Sequence, residues 1–236
     1  MELDLFERET MQVAPGAYYV PRWLSLVQQV QLLVQCRQWA RLVGGFTVPR
    51  MADGTPLSIK SVFLGGDLQQ VQSPLWSQTQ VLPFPPELAQ MAQQACAATM
   101  GYKPDFAPDS SMLNWYDQHS TLGMHQDRAE AQDSIVRGSP VIAISLGDEA
   151  VFRFGNTVNR NRPFQDVTLR SGDLFVFGGL SRLAYHGIVK VFPGTAPSEL
   201  CAPDGRAFPG RLSVTIREMG QGILNPPRRS IEKERL

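Results

Sequence analysis

Three residues of this 236-residue chain could together hold a metal ion. His125 and Asp127 are one residue apart, and an extended backbone aims such positions to the same side. An imidazole and a carboxylate on one side suit a divalent metal, although two protein ligands rarely hold a catalytic one. The chain has only three histidines, and His186, far downstream after an apolar run, is the candidate for the third ligand.

Two histidines and one carboxylate are the ligand set of non-haem Fe(II) oxygenases. In these enzymes half of the metal's octahedron stays open for a cosubstrate and O2. A His-x-Asp pair by itself also arises by chance in many proteins. The prediction of an iron site therefore depends on the residues that surround this set.

The predicted last strand, residues 210–217, carries a second chemical signal. Its side chains alternate, and one face holds Arg211, Ser213, Thr215 and Arg217. Such a face could simply be solvated. Alternatively, Arg211 and Arg217, roughly 20 Å apart along the strand, could converge on a short dicarboxylate, because guanidinium groups pair with carboxylates through two parallel hydrogen bonds. An Fe(II) oxygenase that consumes 2-oxoglutarate needs such a site.

Asn114 and Tyr116 share one face of the strand that precedes the His-x-Asp pair. An amide and a phenol hydroxyl could complete the hydrogen bonding of a bound carboxylate. Ordinary strand polarity is the alternative interpretation of both residues.

The chain as a whole predicts a mixed, mainly β fold. We expect an irregular arm over residues 1–22, a helix from the N-cap Ser25 to about Leu42, and a second helix from Glu87 to Met100. The core stripe of the first helix is predicted at Leu26, Val30, Leu33 and Val34. Short strands are predicted near 58–64, 111–116, 140–146, 150–154, 165–169, 173–177, 185–192 and 210–217.

With a metal site inside, this pattern favours a double-stranded β-helix (jelly roll) with the N-terminal helices packed outside the sheet. We divide the chain into an arm, helices and lid region (1–101), a jelly-roll core (102–220) and a charged tail (221–236).

Composition limits the function classes. The formal net charge is zero, so any contact with nucleic acid must use a local patch. The three cysteines are far apart and form no CxxC, which favours a reducing cytoplasm over a disulfide framework. No apolar run approaches the ~18 residues of a membrane span, so we expect no membrane association.

A series of short motifs runs in order through residues 102–218. They are Asn114-x-Tyr116, Leu122-x-Met124-His125-Gln126-Asp127, Val141-x-x-x-Ser145-Leu146-Gly147, Phe152-x-Phe154-Gly155, Gly172-Asp173-Leu174-x-Val176-x-Gly178-Gly179-x-Ser181-Arg182, Tyr185-His186-Gly187 and Arg211-x-Ser213-x-Thr215-x-Arg217. In order and spacing the chain resembles the AlkB family of Fe(II)/2-oxoglutarate dioxygenases, bacterial type. The glycine-rich segment before His186 is far more specific than a His-x-Asp pair.

The resemblance implies site residues. Fe(II) would be bound by His125, Asp127 and His186, and 2-oxoglutarate by Asn114, Tyr116, Arg211, Ser213 and Arg217. Ser213 stands where the family often has Asn, so that contact is shortened or lost. Arg160 stands where the family has a substrate-contacting arginine, although it could also be an ordinary loop residue.

Two departures concern the substrate. The best-known members have an acidic residue two places after the metal Asp, touching the damaged base. This chain has Ala129 there, followed by Glu130, and we predict Ala129 as a substrate-binding position together with Arg160. The best-known members also have a lid Trp that sandwiches the base, and the corresponding residues 64–71 contain none.

The resemblance implies oxidative demethylation of N-alkylated nucleobases, of the 1-methyladenine and 3-methylcytosine type, in DNA repair. The cofactors would be Fe(II), 2-oxoglutarate and O2, and formaldehyde would be released. We expect a cytoplasmic monomer with no obligate protein partner, which prefers single strands to duplex. Phosphate contacts are predicted for Arg128, Arg160, Arg162 and Arg182.

Two alternatives remain. The same oxygenase could act on RNA or tRNA, a protein side chain or a small molecule. An inactive, metal-free jelly-roll binding module is the other, and the complete set of metal and diacid residues argues against it.

Overall fold

A computed structural model of the chain describes residues 8–51, 53–66, 82–201, 205 and 208–220. The elements in chain order are β1 (Met11–Ala14), β2 (Ala17–Val20), α1 (Leu26–Leu42), β3 (Lys60–Gly65), α2 (Pro86–Thr99), β4 (Ser110–Tyr116), β5 (Leu122–His125), α3 (Gln132–Val136), β6 (Val141–Gly147), β7 (Glu149–Phe154), β8 (Gln165–Leu169), β9 (Leu174–Phe177), a 3-10 turn (Gly179–Ser181), β10 (His186–Phe192) and β11 (Arg211–Arg217). Both predicted helices and all the predicted strands are confirmed to within two residues.

The strands form two antiparallel sheets. The larger has the order β1-β2-β9-β6-β11-β4-β3, and the smaller has the order β5-β10-β7-β8. Aromatic side chains of the two sheets meet, since the rings of Phe152 on β7 and Phe175 on β9 lie 4.7 Å apart between centroids. The smaller sheet therefore covers one face of the larger sheet.

The larger sheet separates two hydrophobic cores. Along β9, Leu174 and Val176 belong to the core beneath the helices, whereas Phe175 and Phe177 belong to the core between the sheets. Successive strand residues point to opposite faces, so an unbroken apolar run fills both cores. Full burial of one such side chain contributes about 1.5–3 kcal/mol.

The two long helices cover the outer face of the larger sheet, as predicted. Helix α1 begins with a capping box, in which the Ser25 side chain accepts from the Gln28 backbone N–H and the Gln28 side chain accepts from the Ser25 backbone N–H. Its predicted core stripe is partly wrong, because Val34 is 44% exposed. The apolar residues that α1 buries are Leu32, Leu33, Cys36 and Ala40.

The predicted irregular arm is wrong for residues 11–20. Residues 11–20 form the hairpin β1–β2, and β2 pairs with β9 at the edge of the larger sheet. Gly16 makes the turn with a φ of 80°, and a Cβ there would lie 2.5 Å from the carbonyl oxygen of Gly178. Asp173 anchors the hairpin by accepting a hydrogen bond of 2.8 Å from the Tyr19 hydroxyl.

Some predictions fall outside the described residues or are not tested by the fold. Most of the lid stretch 64–71 and the tail 221–236 lie outside the described residues. The division of the chain at residues 101 and 220 stays a prediction. Within the described ranges, no helix has the length and apolar character needed to cross a bilayer.

Candidate functional site

The structure brings the three predicted metal ligands together. His125 at the end of β5 lies directly opposite His186 at the start of β10, and their ring centroids are 4.5 Å apart. Asp127 follows two residues after His125, with its carboxylate oxygens 3.7 Å from Nε2 of His125 and 3.8 Å from Nε2 of His186. One ligand atom from each residue lies within 4.8 Å of the others, and this is the one such group among the described residues.

Backbone contacts orient both imidazoles for metal binding. Nδ1 of His125 lies 2.9 Å from the carbonyl oxygen of Gly123, and Nδ1 of His186 lies 3.0 Å from that of Ala184. A carbonyl oxygen can only accept, so each Nδ1 carries the proton and donates it. In the neutral form of such a ring, Nε2 keeps its lone pair for a metal ion.

Burial keeps His186 in the form that a metal needs. Its ring packs 4.9 Å from that of Phe177 and 5.9 Å from that of Phe152. Removal from water lowers the pKa of His186 to about 4, because the cationic form loses hydration. The imidazole is therefore neutral at physiological pH.

Asp127 is held as a carboxylate. Its side chain is 10% exposed, and burial alone would raise its pKa. Arg217, whose Nη1 lies 3.2 Å from Oδ1, outweighs burial together with His186, His125 and Arg182, so the pKa of Asp127 falls well below its usual range. The ligand set thus contains the neutral imidazole of His186 and the anionic carboxylate of Asp127, with Nε2 of His125 3.7 Å from that carboxylate.

Behind the triad lies a buried group of four charges. Glu130 pairs with Arg182 at 3.0 Å and with Arg217 at 3.1 Å. Arg182 also donates to the backbone carbonyl of Asp127 at 3.0 Å. These contacts contradict the predicted role of Arg182 as a phosphate contact, because its side chain is only 3% exposed and faces inward.

A row of short polar side chains crosses the inner face of the larger sheet beside the triad. Ser61 on β3, Asn114 on β4, Ser213 on β11 and Ser145 on β6 are consecutive cross-strand partners. All four are buried, and Ser61 donates to the Asn114 amide oxygen at 2.6 Å. We call these four residues the polar row.

Arg211 and Tyr116 are cross-strand partners, and each lies two residues from a member of the polar row on the same strand, Ser213 on β11 and Asn114 on β4. Arg211 is 1% exposed, donates to the Ser145 hydroxyl at 3.1 Å, and lies 5.1 Å from the centre of the Tyr116 ring. Burial lowers its pKa from the ordinary value. Within the described part of the chain its Nε and Nη1 have no hydrogen-bond partner and it forms no ion pair. A buried guanidinium with free donors is costly unless an anion completes it.

The prediction that Arg211 and Arg217 together bind a diacid does not describe the contacts of Arg217 in the structure. Its guanidinium is shared by Asp127 and Glu130, and these carboxylates keep its pKa above the ordinary value against the effect of burial. Its part in binding 2-oxoglutarate therefore stays a prediction, whereas Arg211 has the free donors that such binding needs.

Three exposed arginines lie on segments that neighbour the triad, one directly after Asp127 and two on the loop that follows β7. Arg160 lies 5.8 Å from the ring of Tyr185, which is next to His186, and Arg128 follows Asp127 directly. With Arg162, whose guanidinium lies 4.8 Å from the Phe164 ring, they form what we call the basic rim. Ala129 is also exposed, whereas the Glu130 side chain is turned inward. Substrate binding by Arg160 and Ala129 stays a prediction.

Sequence reasoning missed several residues of the site. Ser61 and Ser145 carry no individual signal, because a serine in a strand is unremarkable until the register places it beside Asn114 or Arg211. Gln126, between two ligands, also carries no signal of its own in the sequence. Its amide donates to the carbonyl oxygens of Leu183 and, at 3.1 Å, Thr157, and so ties the ligand loop to the rim.

The family follows from a match over most of the chain, because residues 16–217 match the 2OG-Fe(II) oxygenase superfamily. The chain belongs to this superfamily. Membership confirms the predicted cofactors Fe(II), 2-oxoglutarate and O2, for which the triad and the free donors of Arg211 fit as a metal site and an anion site.

Individual relatives narrow the comparison. The chain is 32% identical over 206 residues to "Alpha-ketoglutarate-dependent dioxygenase AlkB" of Salmonella typhimurium, covering 83% of this chain and 91% of that protein. It is 30% identical over 227 residues to "DNA N(6)-methyladenine demethylase ALKBH1C" of Arabidopsis thaliana, covering 87% of this chain and 49% of that protein. The chain spans about half the length of this and other curated relatives that it matches.

A solved structure supports the fold. "The structure of OsALKBH1" matches with a TM-score of 0.77 and 30% identity, over 89% of this chain and 99% of that one. The predicted jelly roll with helices outside the sheet and the predicted likeness to the AlkB family are therefore confirmed.

Proposed function

We propose that this chain is a dioxygenase that oxidatively removes methyl groups from N-alkylated nucleobases in nucleic acid. The observation that carries the proposal is the buried guanidinium of Arg211, which has no ion-pair partner among the described residues, together with the His-Asp-His set. A metal ion and a dicarboxylate together would satisfy both features. The names of the AlkB and ALKBH1C relatives support the reaction and the substrate class.

When bound, Fe(II) and 2-oxoglutarate supply the oxidising power for inserting one oxygen atom of O2 into a C–H bond, with decarboxylation to succinate. His125, Asp127 and His186 would hold the metal on one side, leaving the other side for small ligands. Arg211, Asn114 and Tyr116 would orient the diacid through its carboxylates. A hydroxylated N-methyl group then leaves as formaldehyde: the C–N bond breaks, the nitrogen keeps the electron pair, and the hydroxyl proton is released.

The substrate side rests on the basic rim. Arg128, Arg160 and Arg162 are exposed around the triad and could contact phosphates or stack on bases. A methyl group can reach the buried triad only if its base leaves the stack, which costs least in an unpaired strand. We therefore propose a preference for single strands, because residues 64–71 carry no Trp to offset unstacking. A monomeric, cytoplasmic enzyme stays part of the same prediction.

The test is anaerobic loading with Fe(II) and 2-oxoglutarate, followed by O2 and a panel of methylated oligonucleotides, with formaldehyde and succinate as readouts. The panel contains 1-methyladenine, 3-methylcytosine and N6-methyladenine in matched single-stranded DNA, duplex DNA and RNA. N6-methyladenine is included because the Arabidopsis relative is named for it. Equal amounts of formaldehyde and succinate are expected with at least one methylated base.

Succinate formation without formaldehyde from any oligonucleotide would contradict the nucleic-acid proposal while leaving an oxygenase. Formaldehyde release from the methylated RNA oligonucleotides alone would identify RNA, and not DNA, as the substrate. Absence of both products, with metal bound, would contradict the enzyme proposal as a whole.

A further inference from the structure

The buried carboxylate of Glu130 has no task in the proposed reaction so far. Its side chain is 0% exposed, and it bridges Arg182 at 3.0 Å and Arg217 at 3.1 Å. Burying a carboxylate is costly, and pairing offsets that cost only with good geometry. The position next to Ala129, at the mouth of the site, would otherwise suit an exposed residue.

Both arginines that hold Glu130 also hold Asp127. Arg217 lies 3.2 Å from the Asp127 carboxylate through the same Nη1 that reaches Glu130, and Arg182 donates to the Asp127 backbone carbonyl at 3.0 Å. The group therefore contains two carboxylates and two guanidiniums, with no net charge. Asp127 is the one member whose carboxylate also approaches the two histidines.

This balance matters because a guanidinium and a metal ion compete for the same oxygen atoms. Because Glu130 also accepts from Nη1 of Arg217, that guanidinium interacts less strongly with the Asp127 carboxylate than it would with Asp127 alone. Without the Glu130 carboxylate, Asp127 would face two cations alone, and the added positive charge would also repel a divalent ion across a poorly screened interior.

We propose that Glu130 is a positioning residue, which through Arg217 and Arg182 keeps Asp127 oriented and available to the metal. The inference rests on the proposed metal site of His125, Asp127 and His186. Glu130 needs no contact with metal, cosubstrate or nucleobase for this role, and it acts through the two arginines alone.

Glu130→Gln is a suitable variant because it removes charge and little else. Within the described part of the chain, Oε2 of Glu130 has no hydrogen-bond partner, so the NH2 group of a glutamine can lie there without losing a contact. The matched control is Glu218→Gln. Glu218 is 7% exposed and pairs with Arg137 and Ser139, and among the residues that the structure describes it has no hydrogen bond or ion pair with the metal ligands.

The experiment is anaerobic titration with Co(II) and with Fe(II), beside thermal unfolding of each metal-free variant. Glu130→Gln should weaken metal binding by about tenfold, the factor that 1.4 kcal/mol produces. Glu218→Gln should bind metal like the unaltered protein. The double variant Glu130→Gln/Arg182→Met, which restores the charge balance, should recover part of the lost affinity.

Wild-type metal affinity in Glu130→Gln would overturn the inference, and so would equal losses in Glu130→Gln and Glu218→Gln. If Glu130→Gln does not fold, the double variant Glu130→Gln/Arg182→Met provides the test. A metal Kd of that double variant at least as weak as the metal Kd of His186→Ala would overturn the inference. His186→Ala also separates the two levels of the argument. Unchanged metal binding in that variant would remove the proposed metal site itself, whereas its loss alongside a normal Glu130→Gln would remove the role of Glu130 alone.

Discussion

Ser61 donates a hydrogen bond of 2.6 Å to the amide oxygen of Asn114, across the register of β3 and β4. The hydroxyl occupies the acceptor end of the amide, so the NH2 end is left to donate to a bound anion. A serine 53 positions upstream therefore decides which way the predicted 2-oxoglutarate contact faces.

Ser61→Ala should weaken 2-oxoglutarate binding about two- to tenfold, since a neutral hydrogen bond contributes about 0.5–1.5 kcal/mol. Metal affinity should stay unchanged. The measurement is 2-oxoglutarate titration of the metal-loaded protein without O2. The control is Ser111→Ala, on the neighbouring strand, whose buried hydroxyl has no hydrogen-bond partner among the described residues. Equal effects of the two variants would argue against an orienting role for Ser61.

His125→Ala and His186→Ala should each lose metal binding by more than the roughly 10–100-fold that loss of an outer-shell partner costs. Each change removes one of three ligands whose donor atoms lie within 4.8 Å. His119→Ala is the matched control, because His119 is exposed and its ring contacts Gln118. Calorimetry with Co(II) measures all three variants, and a loss in His119→Ala of similar size would contradict the assignment.

Arg211→Ala should raise the apparent KM for 2-oxoglutarate about ten- to a hundredfold, because hydrogen bonds to a charged group are worth about 1.5–3 kcal/mol. It should also remove the rise in Tm that metal plus 2-oxoglutarate gives the unaltered protein, since a ligand stabilises only the state that binds it. Arg211→Lys, which keeps the charge but not the fork, should fall between. A KM within twofold of the original would contradict the anion site.

Arg160→Ala should make the binding of single-stranded oligonucleotides less dependent on salt. One phosphate contact contributes about −0.7 to the log–log slope on a single strand, and the slope should become shallower by about that amount. Arg153→Ala should change it less, because Nε and Nη2 of Arg153 already donate to the Asp166 carboxylate at 2.7 Å. The slope is measured by fluorescence anisotropy across a salt series, and a wild-type slope in Arg160→Ala would remove this residue from the basic rim.

Thiol labelling should separate the three cysteines. Burial raises the pKa of Cys96 to about 12 and raises that of Cys36 further, whereas Cys201 is exposed. Since only the thiolate reacts, Cys201 alone should be alkylated at pH 8 in the native protein, and all three in denaturant. Mass spectrometry after timed alkylation gives the count, and Cys201→Ser should abolish native labelling. Fast native labelling of Cys36 would contradict the packing of α1.

The sequence predicts those relationships in the site that involve residues of the same strand. Period-two alternation aims the i and i+2 residues of one strand to the same side, which sufficed for Asn114 with Tyr116. The opposition of His125 and His186 needs the pairing of β5 with β10, and only the spacing of the family motifs indicated it. The pattern within one strand thus predicts which side chains share a face of the sheet. The pairing of different strands was predicted only from the spacing of the family motifs.

Two features of the site could not be predicted from the sequence. One is the register in which strands pair, and the other is the side to which a loop residue turns after its strand ends. Nothing in the sequence around Ser61 says that it pairs with Asn114 rather than with a neighbour two residues away. Glu130 lies in the turn after β5, where local pattern does not decide between solvent and interior. The inward turn is set by two arginines, Arg182 and Arg217, which are 52 and 87 positions downstream.

The strand order of the larger sheet has a consequence for how the protein folds. Tyr19 and Asp173 are 154 positions apart, yet they are bonded where β2 pairs with β9. The early strands must therefore wait for later ones, and loops this long are slow to close. We expect folding on a timescale of seconds or longer, with unpaired strand edges exposed to aggregation until β11 has been synthesised and inserted between β6 and β4.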